Sequence, residues 1–248
     1  CDPSTIHKMV VAGNTTMRDL FFGLDVQPVG VIPYRSTLET AFREGRAKGT
    51  SLTTNAAKLR LPAHPEARVY GLPLIGSHVG GDTAACLLAT GLAERDEVTA
   101  LLDIGTNTEV VVGNRDRILA ASCPAGPAFE GGGVTCGMPA REGAIERVRI
   151  REDGGFDLGV IGEGPPTGMC GSGLVDLLGE LLRTGRMNAQ GRFADDQDRF
   201  TLDVTHGISL FERDVNELAQ AKGANVAGLR IVMAAFGVTF DSIDRLYL

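Results

Sequence analysis

The sequence predicts a mixed α/β fold in which antiparallel hairpins come first, helices follow and a strand closes the order. Three observations predict it. Apolar runs alternate with glycine-rich turns over residues 98–161, leucines recur at helical spacing between Leu174 and Leu182, and residues 243–248 return to strand character.

The elements follow in order. The run KMVVA at 8–12 predicts a buried strand that stops at Gly13-Asn14. A helix over 15–24 follows it, capped by Asn14 or Thr15. Residues 25–73 hold Pro28, Pro33, Pro62, Pro65 and Pro73 and read as irregular chain with a helix near 36–48. Small and apolar residues over 76–92 predict a tightly packed helix with Gly80-Gly81-Asp82 near its start. Strands are predicted at 98–104, 109–112 and 117–121, with Gly113-Asn114-Arg115-Asp116 turning between the last two. Residues 144–151 and 156–161 flank a second hairpin turn, Glu152-Asp153-Gly154-Gly155. Leu174, Leu177, Leu178, Leu181 and Leu182 form the apolar stripe of an amphipathic helix. A longer helix is predicted over 214–236, capped by Asp214, with Val215, Leu218, Val226, Leu229, Val232, Met233 and Phe236 on its buried side. Asp241 caps one further turn before the last strand. This order matches one half of a ribonuclease-H-like fold, the repeated unit of actin-like ATPases. A faint internal repeat agrees: residues 6–11 and 243–248 both read Ile-x-basic-apolar-x-apolar.

Composition narrows the function classes. With 248 residues, 43% of them hydrophobic, the chain can bury a substantial core. A net charge of −7 without a long Lys/Arg block disfavours nucleic acid as a partner. It does not disfavour ATP, because local backbone amides hold phosphate. No apolar run reaches the length of a membrane span, and residues 1–4 carry no signal-peptide pattern, so a cytoplasmic protein without membrane attachment is expected. The five cysteines are odd in number and form no C-x-x-C pair, which fits buried reduced thiols better than a disulfide framework or a metal site. The four histidines show no zinc spacing.

Four strings offer chemistry. In Asp103-Ile-Gly-Thr-Asn107 an apolar strand delivers Asp103 to its end, and Gly105 lets phosphate approach the backbone. Thr106 and Asn107 add donors, and Asp103 can hold Mg²⁺ through water. The plain alternative is an ordinary hairpin. In the second string, 124–137, Gly131-Gly132-Gly133 signals either close ligand approach or a mobile linker. Glu130, its lone acid, either positions a water as a catalytic residue or is an ordinary surface side chain. The third, Gly171-Ser172-Gly173, opens a helix, where free N–H groups bind anions; the alternative is an N-cap by Ser172 with glycines for tight packing. The fourth, residues 12–17, is either a phosphate contact or a capped helix start.

Taken together, VVAGNTTM, GSHVGGDTAACLLATGL, the block LLDIGTNTEVVVGNRDRILAASCPAGPAFEGGGVTCGM, GMCGSGLVDLLGELLRTGRMNAQGRF and DVNELAQAKGA resemble the C-terminal region of reductive activators of corrinoid proteins. The resemblance runs over nearly the whole chain and is most specific in 101–182. It implies an ASKHA fold, the class of acetate and sugar kinases and actin. Residues 1–95 would be the last part of a first subdomain with a connecting helix, and 96–248 a second subdomain lacking its final elements. It implies ATP and Mg²⁺ as cofactors and a corrinoid protein as partner; a homodimer is compatible with it. ATP hydrolysis would drive one-electron reduction of Co(II) corrinoid to Co(I). Asp103, Gly105, Thr106 and Asn107 match the second phosphate hairpin of that class. A plant-type [2Fe–2S] domain, a first phosphate hairpin upstream of Ile6 and an adenosine-binding glycine turn after Leu248 are expected by resemblance, so the sequence reads as truncated at both ends. The alternatives are a small-molecule kinase of the same superfamily and a non-enzymatic module that docks a corrinoid protein.

Overall fold

A computed structural model describes residues 2–194 and 197–248. They divide into two compact units, one of residues 1–102, 111–122 and 232–247, the other of 103–110, 123–231 and 248.

The first unit opens with a three-stranded sheet. β1 (Lys8–Val11) pairs in parallel with β3 (Arg68–Gly71), which pairs antiparallel with β2 (Leu52–Asn55). The two later strands lie inside the stretch that its prolines marked as irregular. Each has only four residues, too few to show a period. Helix α1 (Thr15–Phe21) follows β1, and Asn14 caps it by accepting from the Met17 N–H at 2.9 Å. Helix α2 (Thr37–Arg43) starts behind Ser36, and α3 spans Gly81–Thr90. Each of these helices is shorter than its periodicity suggests. Arg18 and Asp19 are both buried, paired at 2.6 Å. Arg18 also donates to the Thr50 and Leu72 carbonyls at 2.6 and 3.0 Å, which ties α1 to the chain on either side of β2 and β3. The start of α3 lies against the turn after β1: the Gly13 carbonyl accepts from Gly81 and Asp82 N–H at 3.0 and 3.2 Å.

A four-stranded sheet follows, with β4 (Thr99–Ile104), β5 (Thr108–Gly113), β6 (Ile118–Cys123) and β12 (Arg245–Tyr247) in the order β12-β4-β5-β6. Links of three and four residues make β4, β5 and β6 an antiparallel meander, whereas β12 runs parallel to β4. Three antiparallel strands with a fourth parallel to the first is the ribonuclease-H-like arrangement. Val110, Val111 and Val112 are fully buried, as a continuous apolar run on both faces requires. Asp244 sets the register of β12, with its N–H on the Val98 carbonyl and its carboxylate on the Val98 N–H, both at 2.9 Å. Asp241 lies inside the turn 240–242 rather than capping it; Thr239 holds the cap position.

In the second unit β7 (Ala144–Ile150) sits between β8 (Phe156–Val160) and the short β9 (Gly168–Met169). The predicted strand series over 98–161 is thus interrupted at 124–143, which holds a 3₁₀ turn at Pro127–Glu130 and irregular chain. Helix α4 (Gly171–Arg183) covers β7. Leu174, Leu177 and Leu181 are buried against Ile145, Val148 and Ile150, Leu178 is half-buried, and Leu182 faces solvent. A hairpin of β10 (Arg199–Asp203) and β11 (Ile208–Phe211), which the sequence reading missed, leads into α5 (Glu212–Phe236). Asp214 is not the cap of α5 but its third residue. Its carboxylate reaches back to the Phe211 N–H at 2.9 Å, the backward half of a capping box, and also accepts from the Thr135 N–H and hydroxyl at 3.0 and 2.9 Å.

Beyond Ile145, where the pairing with β9 ends, the edge of β7 that faces away from β8 is closed by α4. Asp176 accepts from the Val148 N–H at 3.2 Å and Glu180, one turn on, from the Ile150 N–H at 2.6 Å. Arg183 bridges Glu180 and the Ile150 carbonyl. An unpaired strand edge invites pairing with other chains, and these carboxylates cover it. The Arg183 guanidinium and the Ile150 N–H hold the Glu180 carboxyl at about 2, well below its usual 4.5. A depressed carboxylate stabilises the fold above its unfolded pKa, and that contribution is lost as pH falls through the folded value. Glu180→Gln should therefore melt below wild type at pH 6–7, with the gap closing between about pH 4.5 and 2. A pH-independent gap in thermal melts would rule out the carboxylate as its source.

Candidate functional site

The residues that could hold phosphate lie in the second unit and begin where β4 ends. Residues 99–102 of β4 are buried, Asp103 is half-buried and Ile104 is exposed, so the strand carries a carboxylate from the core to the surface. Gly105, Thr106 and Asn107 make the turn, and Thr108 re-enters the core. A Cβ on Gly105 would sit 3.3 Å from the Asn107 carbonyl oxygen, so the turn is closed tightly on itself. Thr106 and Asn107 present their side chains to solvent. The glycine turn at a strand end that the sequence predicts is thus present, with Thr106 and Asn107 exposed.

The second string lies against the first. The Thr106 carbonyl accepts from the Gly126 N–H at 2.9 Å, and the Thr106 hydroxyl donates to Glu130 Oε2. Glu130 ends the 3₁₀ turn Pro127–Glu130 and is exposed. The triple glycine that follows is accounted for mainly by chain packing. Gly131 has φ +84°, and a Cβ there would lie 2.4 Å from Met138 N; one on Gly137 would lie 2.3 Å from the Gly131 oxygen. A Cβ on Gly132 would lie 2.8 Å from the Pro127 ring, while one on Gly133, also at positive φ, would meet open space.

The third string meets the second. A Cβ on Gly171 would fall 1.9 Å from the Phe129 carbonyl oxygen, and one on Gly173 2.2 Å from the Ile145 oxygen. Only hydrogen fits at either place. Ser172 is not the N-cap; Cys170 holds that position with extended backbone and makes no side-chain cap bond. Ser172 is exposed at the second helical position, its Oγ 3.4 Å from Cys170 Sγ. Cys170 itself is buried with its thiol 3.5 Å from the Ile145 oxygen, which fits a packed thiol. Burial, and then the Asp214 carboxylate, push the Cys136 thiol up to about 11, so it stays protonated at neutral pH. Hairpin, 3₁₀ turn and helix start are thus joined in series through Thr106, Glu130, Phe129 and Gly171. The fourth string, in the first unit, is a capped helix start packed on α3. The Thr135–Asp214 contact, 79 residues apart in sequence, had as its signal only an Asp three positions into a helix.

Among the described residues no group of three or more His, Cys, Asp or Glu side chains could hold a metal ion, and no helix is long and apolar enough to cross a membrane. Two carboxylates, Asp103 and Glu130, stand at the hairpin. The four described cysteines are not gathered as a cluster ligand set.

Comparison with known proteins agrees over the whole length. The family model for the C-terminal domain of RACo, the ASKHA domain, matches residues 97–248, and that for the RACo middle region matches 1–95. The chain belongs to the RACo family. A corrinoid activation enzyme of Eubacterium limosum, RamQ, is 32% identical to this RACo-family chain, covering all of it and 44% of that protein. A [Co(II) methylated amine-specific corrinoid protein] reductase of Methanosarcina barkeri is 24% identical, covering all of the chain and 49% of the reductase. The solved structure of a reductive activator for corrinoid, iron–sulfur protein superposes with a TM-score of 0.83 at 36% identity, covering 98% of this chain and 40% of that one. The RACo-family chain therefore spans less than half the length of these relatives, and its fold is the ASKHA fold.

The close contact at Gly171 makes a prediction. A Cβ there meets a backbone oxygen that cannot rotate away, so Gly171→Ala should destabilise by roughly 1–3 kcal/mol, lowering the melting temperature by several degrees. Ser172→Ala, at an exposed position without a capping role, should stay within about 0.5 kcal/mol of wild type. Equal melts for the two variants in differential scanning calorimetry would remove the packing account of this helix start.

Proposed function

We propose that this chain is the ATP-binding part of a reductive activator that couples ATP hydrolysis to one-electron reduction of a Co(II) corrinoid protein to Co(I). The observation that carries it is the hairpin Asp103–Asn107, a glycine turn at a strand end with Thr106 and Asn107 exposed, in a chain of this family. In this reading the turn amides with Thr106 and Asn107 bind phosphate oxygens, and Asp103 holds Mg²⁺ through water. The helix start Gly171-Ser172-Gly173 adds a favourable dipole toward the same anion. Glu130 belongs to the site through its bond to Thr106.

The relatives named as corrinoid activators or reductases supply the substrate class. The electron comes from an iron–sulfur group, a [2Fe–2S] cluster by resemblance, outside this chain; ATP-driven closure lets the unfavourable transfer proceed. Residues 1–95 would then complete a first ASKHA subdomain and 96–248 a second, in a cytoplasmic protein.

Two measurements test the reading. In the full-length protein, Asp103→Asn should lower Mg-ATP turnover by roughly 100-fold, the scale of losing one electrostatic group at a phosphoryl centre, while the melting temperature moves by only a few degrees. Unchanged turnover would place the phosphate site elsewhere; a collapsed melt would make Asp103 a structural residue. Purified by itself, the 248-residue chain should be colourless, with iron and sulfide far below one cluster per chain. A visible charge-transfer spectrum with matching iron would overturn the assignment of the cluster to a separate part of the protein.

A further inference from the structure

We propose that Glu130 gates the phosphate hairpin: it holds the Thr106 hydroxyl in the nucleotide-free protein and makes phosphate entry depend on a divalent cation. The inference rests on the reading of Asp103–Asn107 as a nucleotide site and deepens it. A threonine hydroxyl has one proton to give. Here it goes to Glu130 Oε2. The other carboxylate oxygen also faces the turn, 3.7 Å from where a Cβ of Gly105 would stand, beside the backbone that phosphate must approach.

Glu130 is held there by its surroundings. Its turn opens with Pro127 and closes on Gly131 at φ +84°. Ala128 is buried and the Phe129 oxygen rests on Gly171. The Gly126–Thr106 main-chain bond locks the same loop to the hairpin. Between hairpin and turn, the exposed side-chain bond from Thr106 to Glu130 is therefore a contact that a ligand can replace without moving backbone.

A phosphate oxygen and the Glu130 carboxylate compete for the same proton and repel each other. A divalent cation offsets that repulsion. Once Mg²⁺ and phosphate are in place, Thr106 turns its hydroxyl to phosphate, and the freed carboxylate can accept from a metal-bound water. No covalent bond changes in this exchange. Glu130 is on this account a positioning residue whose charge sets the metal requirement.

The experiment is isothermal titration of the full-length protein with ATP, once in Mg²⁺ and once in EDTA. Glu130→Gln keeps an acceptor for Thr106 and removes the charge. It should strengthen metal-free binding, so that the ratio of the two Kd values falls by about tenfold or more, the size of effect one nearby like charge produces. Thr106→Val, which leaves the charge in place, should weaken ATP binding but keep the ratio within about threefold of wild type. Should Glu130→Gln not fold, Glu130→Ala carries the same expectation. ATP binding with an unchanged ratio in the glutamine variant overturns the gate and leaves the phosphate hairpin standing. No binding by folded wild type in either buffer overturns both.

Discussion

Backbone running against backbone, too close for any side chain, is the contact on which the second unit's site depends. The Phe129 carbonyl lies where a Cβ of Gly171 would be, the Ile145 carbonyl where one of Gly173 would be, and Gly131 crosses Gly137 in the same way. Each crossing replaces adjustable side-chain packing with contact between main-chain atoms that have almost no freedom. The 3₁₀ turn at Pro127–Glu130 is therefore held against the start of α4 by main-chain contact. Through Glu130 and Gly126 that constraint reaches Thr106 in the hairpin. Ordering three glycines in a row costs conformational entropy on folding, and of the three Gly131 is the one whose main-chain crossing leaves no room for a side chain.

Carboxylates do a second part of the structural work, and in a consistent way. Asp176 and Glu180 accept the N–H groups of the open β7 edge, and Asp214 accepts two N–H groups and a hydroxyl where α5 begins. Asp244 does the same for Val98 beside β12. Four of the chain's 31 acidic residues thus serve backbone donors that these carboxylates pair. Buried N–H groups are costly without partners, and a charged acceptor makes a stronger bond than a neutral one. The acidity of the protein is in this respect a property of its fold as much as of its surface.

How much of this the sequence displays depends on whether a signal is local. The hairpin at 103–107 is legible because an apolar strand, a glycine and a second apolar strand lie in one window, and the Leu174–Leu181 stripe because its period falls within one helix. β2 and β3 are not legible, since four-residue strands flanked by prolines show no period and β3 owes its place to β1, some sixty residues earlier. The β10–β11 hairpin alternates apolar Phe200, Leu202, Ile208 and Leu210, a signal that was present but short. The Glu130–Thr106 bond spans 24 residues and belongs to neither a periodic element nor a known spacing. Reading Glu130 as a lone acid near a glycine run finds the residue but not its partner.

That partner changes what the local electrostatics mean. Overall charge says little about whether ATP can bind, because the amides of a tight turn and the first turn of a helix act within a few ångströms and the mean field of the protein does not. What does act at that range is a carboxylate bonded to the hairpin, Glu130, beside the Asp103 of the hairpin itself. A bare glycine turn with free donors would hold any phosphate, including inorganic phosphate present in the cell. In the proposed reading, a turn whose threonine already bonds to a carboxylate accepts a phosphate only when something replaces that bond and offsets the charge, as a nucleotide arriving with its metal ion would. The constraint that fixes Glu130 is a carbonyl resting on a glycine at a helix start; on that reading, the same constraint would let the site distinguish a metal–nucleotide complex from a free anion.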